Sequence, residues 1–201
     1  MIKNIFALFI HPEEFDINII ISFEILTNNG SIVLNSVEIL DKSKSIKDHF
    51  KKSNFLEVPG NLRTKDLRTL TKLKNLFYDY FKGKKTDLFQ EMINLGIQIP
   101  YEKTFRTAFS AKVIEWILKN LKYGDLTSYS QIGQNLDSKA YQAIGNILRK
   151  NPFPLIIPCH RVIKKNGKIG GFIGKTRKSW QKDLKKSLLK MEKITIQNNK
   201  N

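Results

Sequence analysis

The sequence predicts an α+β fold in two parts. A small N-terminal α+β domain is expected over residues 1–100, and a mostly helical C-terminal domain with a helix-turn-helix over residues 101–192. Three observations carry this prediction. The first 40 residues are β-rich runs around a turn signal, two later stretches carry apolar side chains at helical spacing, and charge divides at mid-chain. Residues 1–100 hold 14 Lys and Arg against 12 Asp and Glu, whereas residues 101–201 hold 21 against 6. A net charge of +17 placed this unevenly favours a polyanionic partner for the second half, nucleic acid being the commonest, over a merely solvated lysine-rich surface. No stretch forms the long basic, aromatic-faced helix that a membrane-surface protein needs.

Strands are expected around Ile5–Ile10, Ile17–Leu26 and Ser31–Leu40, with "TNNG" (Thr27 to Gly30) joining the last two. Asn-Gly between β-rich runs is a hairpin signal. Residues 43–53 read as a polar helix. The stretch at residues 64–82 puts Leu67, Leu70, Leu73, Phe77 and Phe81 on one helical face and stops at Gly83. A short extended segment is expected after Lys85, and Pro100 marks a boundary near residues 98–104. In the second half, Phe105, Phe109, Val113, Trp116, Ile117 and Leu121 form one apolar stripe that ends at Gly124. A short helix at Ser128–Leu136 leads to a second at Lys139–Lys150, capped by Asp137 or Ser138 and stopped by Asn151-Pro152. The second of these helices carries Lys139, Arg149 and Lys150. The pair fits a helix-turn-helix, although most helical hairpins bind no DNA. Residues 193–201 are expected to form a disordered tail. The longest apolar runs, Ile5–Ile10 and Ile17–Ile21, fall far short of the roughly 20 residues that span a bilayer. Neither reads as a signal peptide, so a cytoplasmic protein is expected, or a nuclear one in a eukaryote.

The single cysteine, Cys159, lies in "PLIIPCHRVI" (Pro154 to Ile163). One cysteine excludes an internal disulfide framework and a multi-cysteine zinc site. A lone Cys is most often a small buried hydrophobe. Against that stand the adjacent His160, the rigid Pro158, and Arg161, Lys164 and Lys165, whose charge favours thiolate over thiol. These residues alone leave both readings open. Downstream, "GKIGGFIGKT" (Gly167 to Thr176) imitates a phosphate-binding loop, but the position that needs its first glycine is Ile169. Its glycines are better read as letting backbone pass close to something flat or bulky.

"IPCHRV" (Ile157 to Val162) resembles the signature of the O6-alkylguanine-DNA alkyltransferases, the methylated-DNA–protein-cysteine methyltransferases. The resemblance extends in order through "YFKGKK" (Tyr80 to Lys85), "FSAKVIEWI" (Phe109 to Ile117), "YGDLTSYSQIG" (Tyr123 to Gly133), "AIGNILRKNPFPLIIPCHRVI" (Ala143 to Ile163) and "LLKME" (Leu188 to Glu192). It implies an RNase H-like N-terminal domain and a winged-helix-like C-terminal one. It also implies a monomer that needs no metal or other cofactor and acts once per molecule on double-stranded DNA containing O6-alkylguanine, with O4-alkylthymine as a second substrate.

The residue roles the resemblance implies are specific. Cys159 is the nucleophile, His160 takes its proton through a water, and Glu192 orients His160. Tyr129 protonates the departing guanine, and Asn151 is a hinge between the DNA-reading helix and the active-site segment. Ser128, Lys139, Ala140, Tyr141, Gln142, Arg149 and Lys150 fall on the DNA-binding positions, with the helix in the minor groove and the base rotated out. Leu148, Pro154, Ile169, Gly170, Phe172, Ile173 and Gly174 fall on the pocket positions. The chain departs from the family pattern at Gln142, where an arginine finger is usual, and at the neighbouring Tyr141, where a small residue is expected. Either side chain can serve as a substitute wedge. Phe172 stands where a tyrosine is common, and Ile173 where a small hydroxyl residue is common. Three rival readings differ in chemistry: a binding module that recognises alkylated DNA without repairing it, a regulator that uses the alkylated cysteine as a signal, and a cysteine hydrolase. The intact Cys159, the lack of an extra sensor domain and the lack of a protease signature count against them in turn.

Overall fold

The computed structural model describes residues 5–26, 30–53, 55–56, 58, 62–174 and 179–194. The chain divides into two compact units, Met1–Pro100 and Tyr101–Asn201. The "TNNG" turn falls almost wholly, and the tail largely, outside the described residues.

The first unit is built on an antiparallel sheet of β1 (Phe6–Ile10), β2 (Ile17–Ile25) and β3 (Ile32–Asp41), in that order. The middle strand is buried from Ile17 to Phe23 without alternation, as a strand covered on both faces requires. Its two polar residues in that run find partners just past β1 and on β3. Asn18 Oδ1 lies 2.6 Å from His11 Nδ1, and Ser22 Oγ lies 2.7 Å from Ser36 Oγ beside a bulge at Ser22/Phe23. Helix α1 (Ile46–Ser53) follows, then α2 (Thr64–Phe81), which packs on β1 and buries Leu70, Leu73, Phe77, Tyr80 and Phe81. Each such side chain contributes about 1.5–3 kcal/mol by leaving water. Leu67, expected on the same face, is instead 39% exposed. It lies at the edge of the buried stripe, and Asp66, one residue earlier in the same turn, takes the inward position.

The extended segment expected after Lys85 is a helix, α3 (Leu88–Asn94). Asp87 caps it by accepting a hydrogen bond from the Gln90 amide, and Leu88 and Met92 are buried one turn apart. Capping and i, i+4 burial make a helix where a short extended segment was expected. Extended structure appears only later, where Val33 bridges Gln98 in parallel.

The second unit begins with a 3-10 turn, Tyr101–Lys103, and α4 (Ala108–Asn120). Thr107 and Ser110 close a reciprocal capping box at its start. Val113, Ile114 and Ile117 form the buried face of α4, flanked by the buried Phe105 and Leu121, while Phe109 and Trp116 are half-buried. The chain turns at Gly124 (φ +89°) into β4 (Thr127–Ser128). This two-residue strand pairs in parallel with β5 (Val162–Ile163), a pairing the helical reading of this half did not foresee.

Helix α5 (Tyr129–Asn135) is capped by Ser128 and Gln131, again reciprocally. Helix α6 (Tyr141–Arg149) packs against it. The expected start at Lys139 is two residues early. Ala140 is the N-cap and offers no side-chain bond, Asp137 sits in the turn at φ +49°, and Ser138 Oγ accepts the Ala140 amide. Lys139 is therefore on the turn and not the helix, and Lys150 is the C-cap. The close approach of the two helices depends on Gly133. A Cβ there would lie 2.6 Å from the Tyr141 ring and 2.5 Å from the Ser138 carbonyl. A second 3-10 turn, Cys159–Arg161, leads into β5, and α7 (Trp180–Met191) packs back against that turn. Among the described residues no helix is long and apolar enough to cross a membrane.

Candidate active site

Cys159 heads its 3-10 turn at the end of a tightly tied loop. Asn151, just past α6, does most of the tying. Its Oδ1 accepts the Phe153 amide at 2.9 Å, and its Nδ2 donates to the Ile157 carbonyl at 3.0 Å and reaches Cys159 Sγ at 3.3 Å. One amide thus fixes the end of the helix, the loop and the sulfur together.

His160, Arg161 and Glu192 are buried behind the thiol. His160 Nε2 lies 2.9 Å from Glu192 Oε1. Arg161 grips the same carboxylate with both arms, Nε to Oε2 at 2.8 Å and Nη2 to Oε1 at 2.9 Å, and donates Nη1 to the Leu121 carbonyl at 3.1 Å. The Gly124 amide adds a longer bond to Oε2 at 3.3 Å. Glu192 is the C-cap of α7, an end where the helix dipole disfavours a negative charge. Arg161 offsets that, and the bidentate geometry is the strong form of such a pair. Burial alone would raise the Glu192 carboxyl. The hydrogen bonds of His160 and Arg161, with the Arg161 charge, outweigh it and hold the group below the usual carboxylate range. Burial pushes His160 down despite the carboxylate, so the imidazole is neutral at neutral pH.

Burial also pushes the Cys159 thiol up, against the opposing Asn151 bond and the charge of Lys185. This runs against the expectation that the charge of Arg161, Lys164 and Lys165 favours thiolate over thiol. Arg161 is committed to Glu192, and the two lysines are exposed, where water screens them.

A cavity of about 460 Å³ opens onto Cys159. Tyr129, Gly145, Leu148 and Phe172 line it with Gln142, Asn146, Arg149, Lys164, Gly171, Ile173 and Gly174. The Tyr129 ring is held between glycines. A Cβ on Gly170 would lie 2.8 Å from its hydroxyl, and one on Gly145 would lie 3.8 Å from the ring edge. Burial first, then the nearby Cys159, pushes the phenol up to about 12, so it keeps its proton. A cavity that brings a thiol and a phenol together with the apolar side chains of Leu148 and Phe172 suits a flat aromatic ligand.

A family model described as the 6-O-methylguanine DNA methyltransferase DNA-binding domain matches residues 108–194. The methylated-DNA–protein-cysteine methyltransferase of Methanocaldococcus jannaschii is 31% identical over 145 residues, covering 71% of this chain and 75% of that protein. The chain belongs to the methylated-DNA–protein-cysteine methyltransferase family. The Scheffersomyces stipitis methyltransferase aligns over 94% of both chains at 28% identity. In structure, the chain is similar to the O6-methylguanine methyltransferase of Mycobacterium tuberculosis, with a TM-score of 0.62 at 21% identity over 94% of this chain and 93% of that one. A structure of the M. tuberculosis protein in complex with DNA gives a TM-score of 0.57 over 94% and 92% of the two chains.

Relative to other positions inferred from the methyltransferase family, the expected pocket residues separate into two groups. Leu148, Phe172, Ile173 and Gly174 line the cavity. Pro154 and Gly170 are buried and Ile169 is half-buried, all three outside the lining. On the helix-turn-helix face, Lys139, Ala140, Gln142, Arg149 and Lys150 are exposed and Tyr141 is 38% exposed. Ser128 is buried, its Oγ engaged with Ser130 Oγ and the Gln131 amide. It borders a second cleft of about 440 Å³ that it shares with Lys164 and Lys165. Sequence reasoning passed over Gly145, Asn146 and Gly171 as lining residues, Arg161 as the second partner of Glu192, and Lys185. Among the described residues no cluster of His, Cys, Asp and Glu could hold a metal ion.

Proposed function

We propose that this chain repairs alkylated DNA by moving the alkyl group from O6 of guanine, and from O4 of thymine as a second substrate, to Cys159. The observation that carries the reading is the buried His160–Glu192 pair directly behind a cysteine that opens into a base-sized cavity. The reaction is a direct displacement at the alkyl carbon: an Sγ–C bond forms as the C–O6 bond breaks and its electron pair stays on guanine. The thiol proton passes through water to the neutral His160, whose cation Glu192 stabilises. Tyr129 supplies the proton that lets neutral guanine leave. The thioether has no route back, so each chain acts once, as a monomer, without metal or cofactor.

The helix-turn-helix supplies the approach to DNA. Helix α6 enters the minor groove, with Arg149 and Lys150 on phosphate and the damaged base turned out into the cavity. Gln142 is the wedge. It stands exposed at the cavity mouth, while the Tyr141 ring is engaged against Gly133. Gln142→Arg is expected to speed transfer from duplex several-fold more than transfer from the free alkylated base; equal effects on the two substrates reject the assignment.

The proposal is tested by incubating the protein with a duplex carrying one O6-methylguanine and weighing the intact chain. One added methyl group per chain, mapped to Cys159, is expected. Unmodified protein that binds the duplex tightly sinks the transfer reading in favour of a binding module. Turnover without modification favours a hydrolase.

A further inference from the structure

The turn between α4 and β4 closes around the buried carboxylate. Its Leu121 carbonyl accepts Arg161 Nη1 at 3.1 Å, and its Gly124 amide reaches Glu192 Oε2 at 3.3 Å. Asp125 stiffens the turn by accepting the Lys122 amide at 2.8 Å and donating its own amide to the Lys122 carbonyl at 3.0 Å. Tyr123, at its centre, makes two contacts of a different kind. Its hydroxyl donates to the Met191 carbonyl at 3.3 Å, and the Arg161 guanidinium carbon lies 5.9 Å from its ring centroid. Met191 is the last residue of α7, next to Glu192, and a carbonyl in that turn has no partner inside the helix. Tyr123 supplies that partner from outside. The helix end needs such a hold. Lys193 follows at φ +61°, a left-handed backbone that persists without glycine only where its surroundings impose it.

We infer that Tyr123 is a positioning residue for His160, acting through Glu192: its hydroxyl fixes the end of α7 and its ring keeps water from the Arg161–Glu192 pair, so the carboxylate stays aimed at the imidazole. Arg161 and Glu192 are buried while Tyr123 is half-buried, so the ring stands between the guanidinium and solvent. A cation within about 6 Å of a ring centroid is attracted to its face, which holds the ring in place. Burial pushes the Tyr123 phenol up, with the Glu192 charge adding and Arg161 opposing, so the hydroxyl stays a donor. The charged and titratable groups facing His160 are Glu192 and Lys185 from α7, with Arg161 and Cys159 on its own turn; Phe172 meets the imidazole edge to face, without charge. Among them the Glu192 charge favours an imidazolium, and those of Arg161 and Lys185 oppose it. Because the resting imidazole is neutral, it donates from Nε2 to Glu192 Oε1 and keeps Nδ1 as its basic nitrogen. Which nitrogen carries the proton therefore depends on where the carboxylate points.

The chain has three histidines, His11, His49 and His160, so nitrogen NMR of histidine-labelled protein can follow each ring. Tyr123→Leu and Tyr123→Phe are compared with the unsubstituted chain at neutral pH. The readouts are the imidazole nitrogen shifts, the melting temperature, and methyl transfer from an O6-methylguanine duplex. The role given to Tyr123 rests on the alkyl-transfer reading only for the last of these. The unsubstituted chain is expected to hold His160 in the single tautomer protonated at Nε2. Tyr123→Leu, which removes hydroxyl and ring, is expected to move both His160 nitrogens toward the averaged values of exchanging tautomers. It is also expected to slow transfer by about tenfold, a fraction of the roughly 10²- to 10⁴-fold that a positioned base supplies. Tyr123→Phe, which keeps the ring, is expected to retain the single tautomer and most of the rate, with a melting temperature lower by a few degrees. Unchanged His160 nitrogens in Tyr123→Leu overturn the inference even if stability and rate fall, because those losses alone mark a structural role. Mixed tautomers in the unsubstituted chain overturn it as well. Should Tyr123→Leu fail to fold, Tyr123→Met takes its place and is judged by the same nitrogens. If the unsubstituted chain transfers no methyl, the repair reading fails alone, because the nitrogen shifts still report on Tyr123.

Discussion

Cys159→Ser is expected to leave a protein that still binds the methylated duplex but transfers methyl more than about 10⁴-fold slower. The hydroxyl keeps a hydrogen-bonding atom near Asn151 Nδ2, now 3.3 Å from the sulfur, so the loop that Asn151 ties should survive. What disappears is the nucleophile. Serine ionises far above the thiol range, and its neighbours are arranged for a softer, larger atom. A fall of this size corresponds to about 5 kcal/mol of transition-state stabilisation. Single-turnover transfer followed by intact mass reads it. A Cys159→Ser chain that acquires methyl within tenfold of the normal rate would move the acceptor to another residue and dismantle the site as described.

Arg161→Met is expected to cost about 3–5 kcal/mol of stability, with a melting temperature lower by roughly 6–20 °C. The cause lies in what it leaves behind. Glu192 would keep one neutral imidazole and one long amide bond where it now has two guanidinium bonds as well. The pH dependence supplies the sign. In the unsubstituted chain Glu192 titrates lower when folded than when unfolded, so it contributes stability that is complete above the unfolded value and is lost as pH falls through the folded one. Without Arg161 the folded value rises, so less of that contribution exists to be lost. The deficit therefore narrows as pH falls. Urea unfolding between neutral and acid pH checks both statements. Adding Glu192→Gln to Arg161→Met should recover part of the loss, since it removes the unpaired charge. A deficit under about 1 kcal/mol, or one that widens in acid, contradicts the shared-carboxylate arrangement.

Much of the architecture was legible because it is local. The strands β1 to β3 and helices α2 and α4 announce themselves by apolar runs or spacing along the local chain, and most of their ends hold to within a residue or two. The failures are also physical. Leu67 follows the period of α2 but sits at the edge of the stripe, where Asp66 takes the inward position. Helix α3 is too short for its period to speak, and its cap at Asp87 was the available signal. Lys139 lies in a turn whose geometry depends on Gly133 and Tyr141, eight residues apart.

The site divides along the same line. The Cys-His-Arg run is contiguous, but the Glu192 carboxylate lies 32 residues beyond His160, and only the family resemblance pointed to it. Nothing local marks Arg161 as its second partner. Lys185 is different, because a signal existed. It sits four residues after Gln181 and four before Leu189, both buried, on a helix whose other lysines hide it by composition. Periodicity would have placed it inward had residue type not argued the opposite.

The glycines around Tyr129 have a consequence for how the cavity can change. Gly170 lies behind the ring, outside the cavity lining, and any side chain there would strike the phenol at 2.8 Å, whereas a Cβ at Gly145 would make an ordinary contact at 3.8 Å. The Tyr129 wall is therefore fixed from behind. Gln142, Ile173 and Lys164 face the cavity without being fully buried. Divergence in cavity shape is therefore channelled to that rim, while the Tyr129 wall stays fixed.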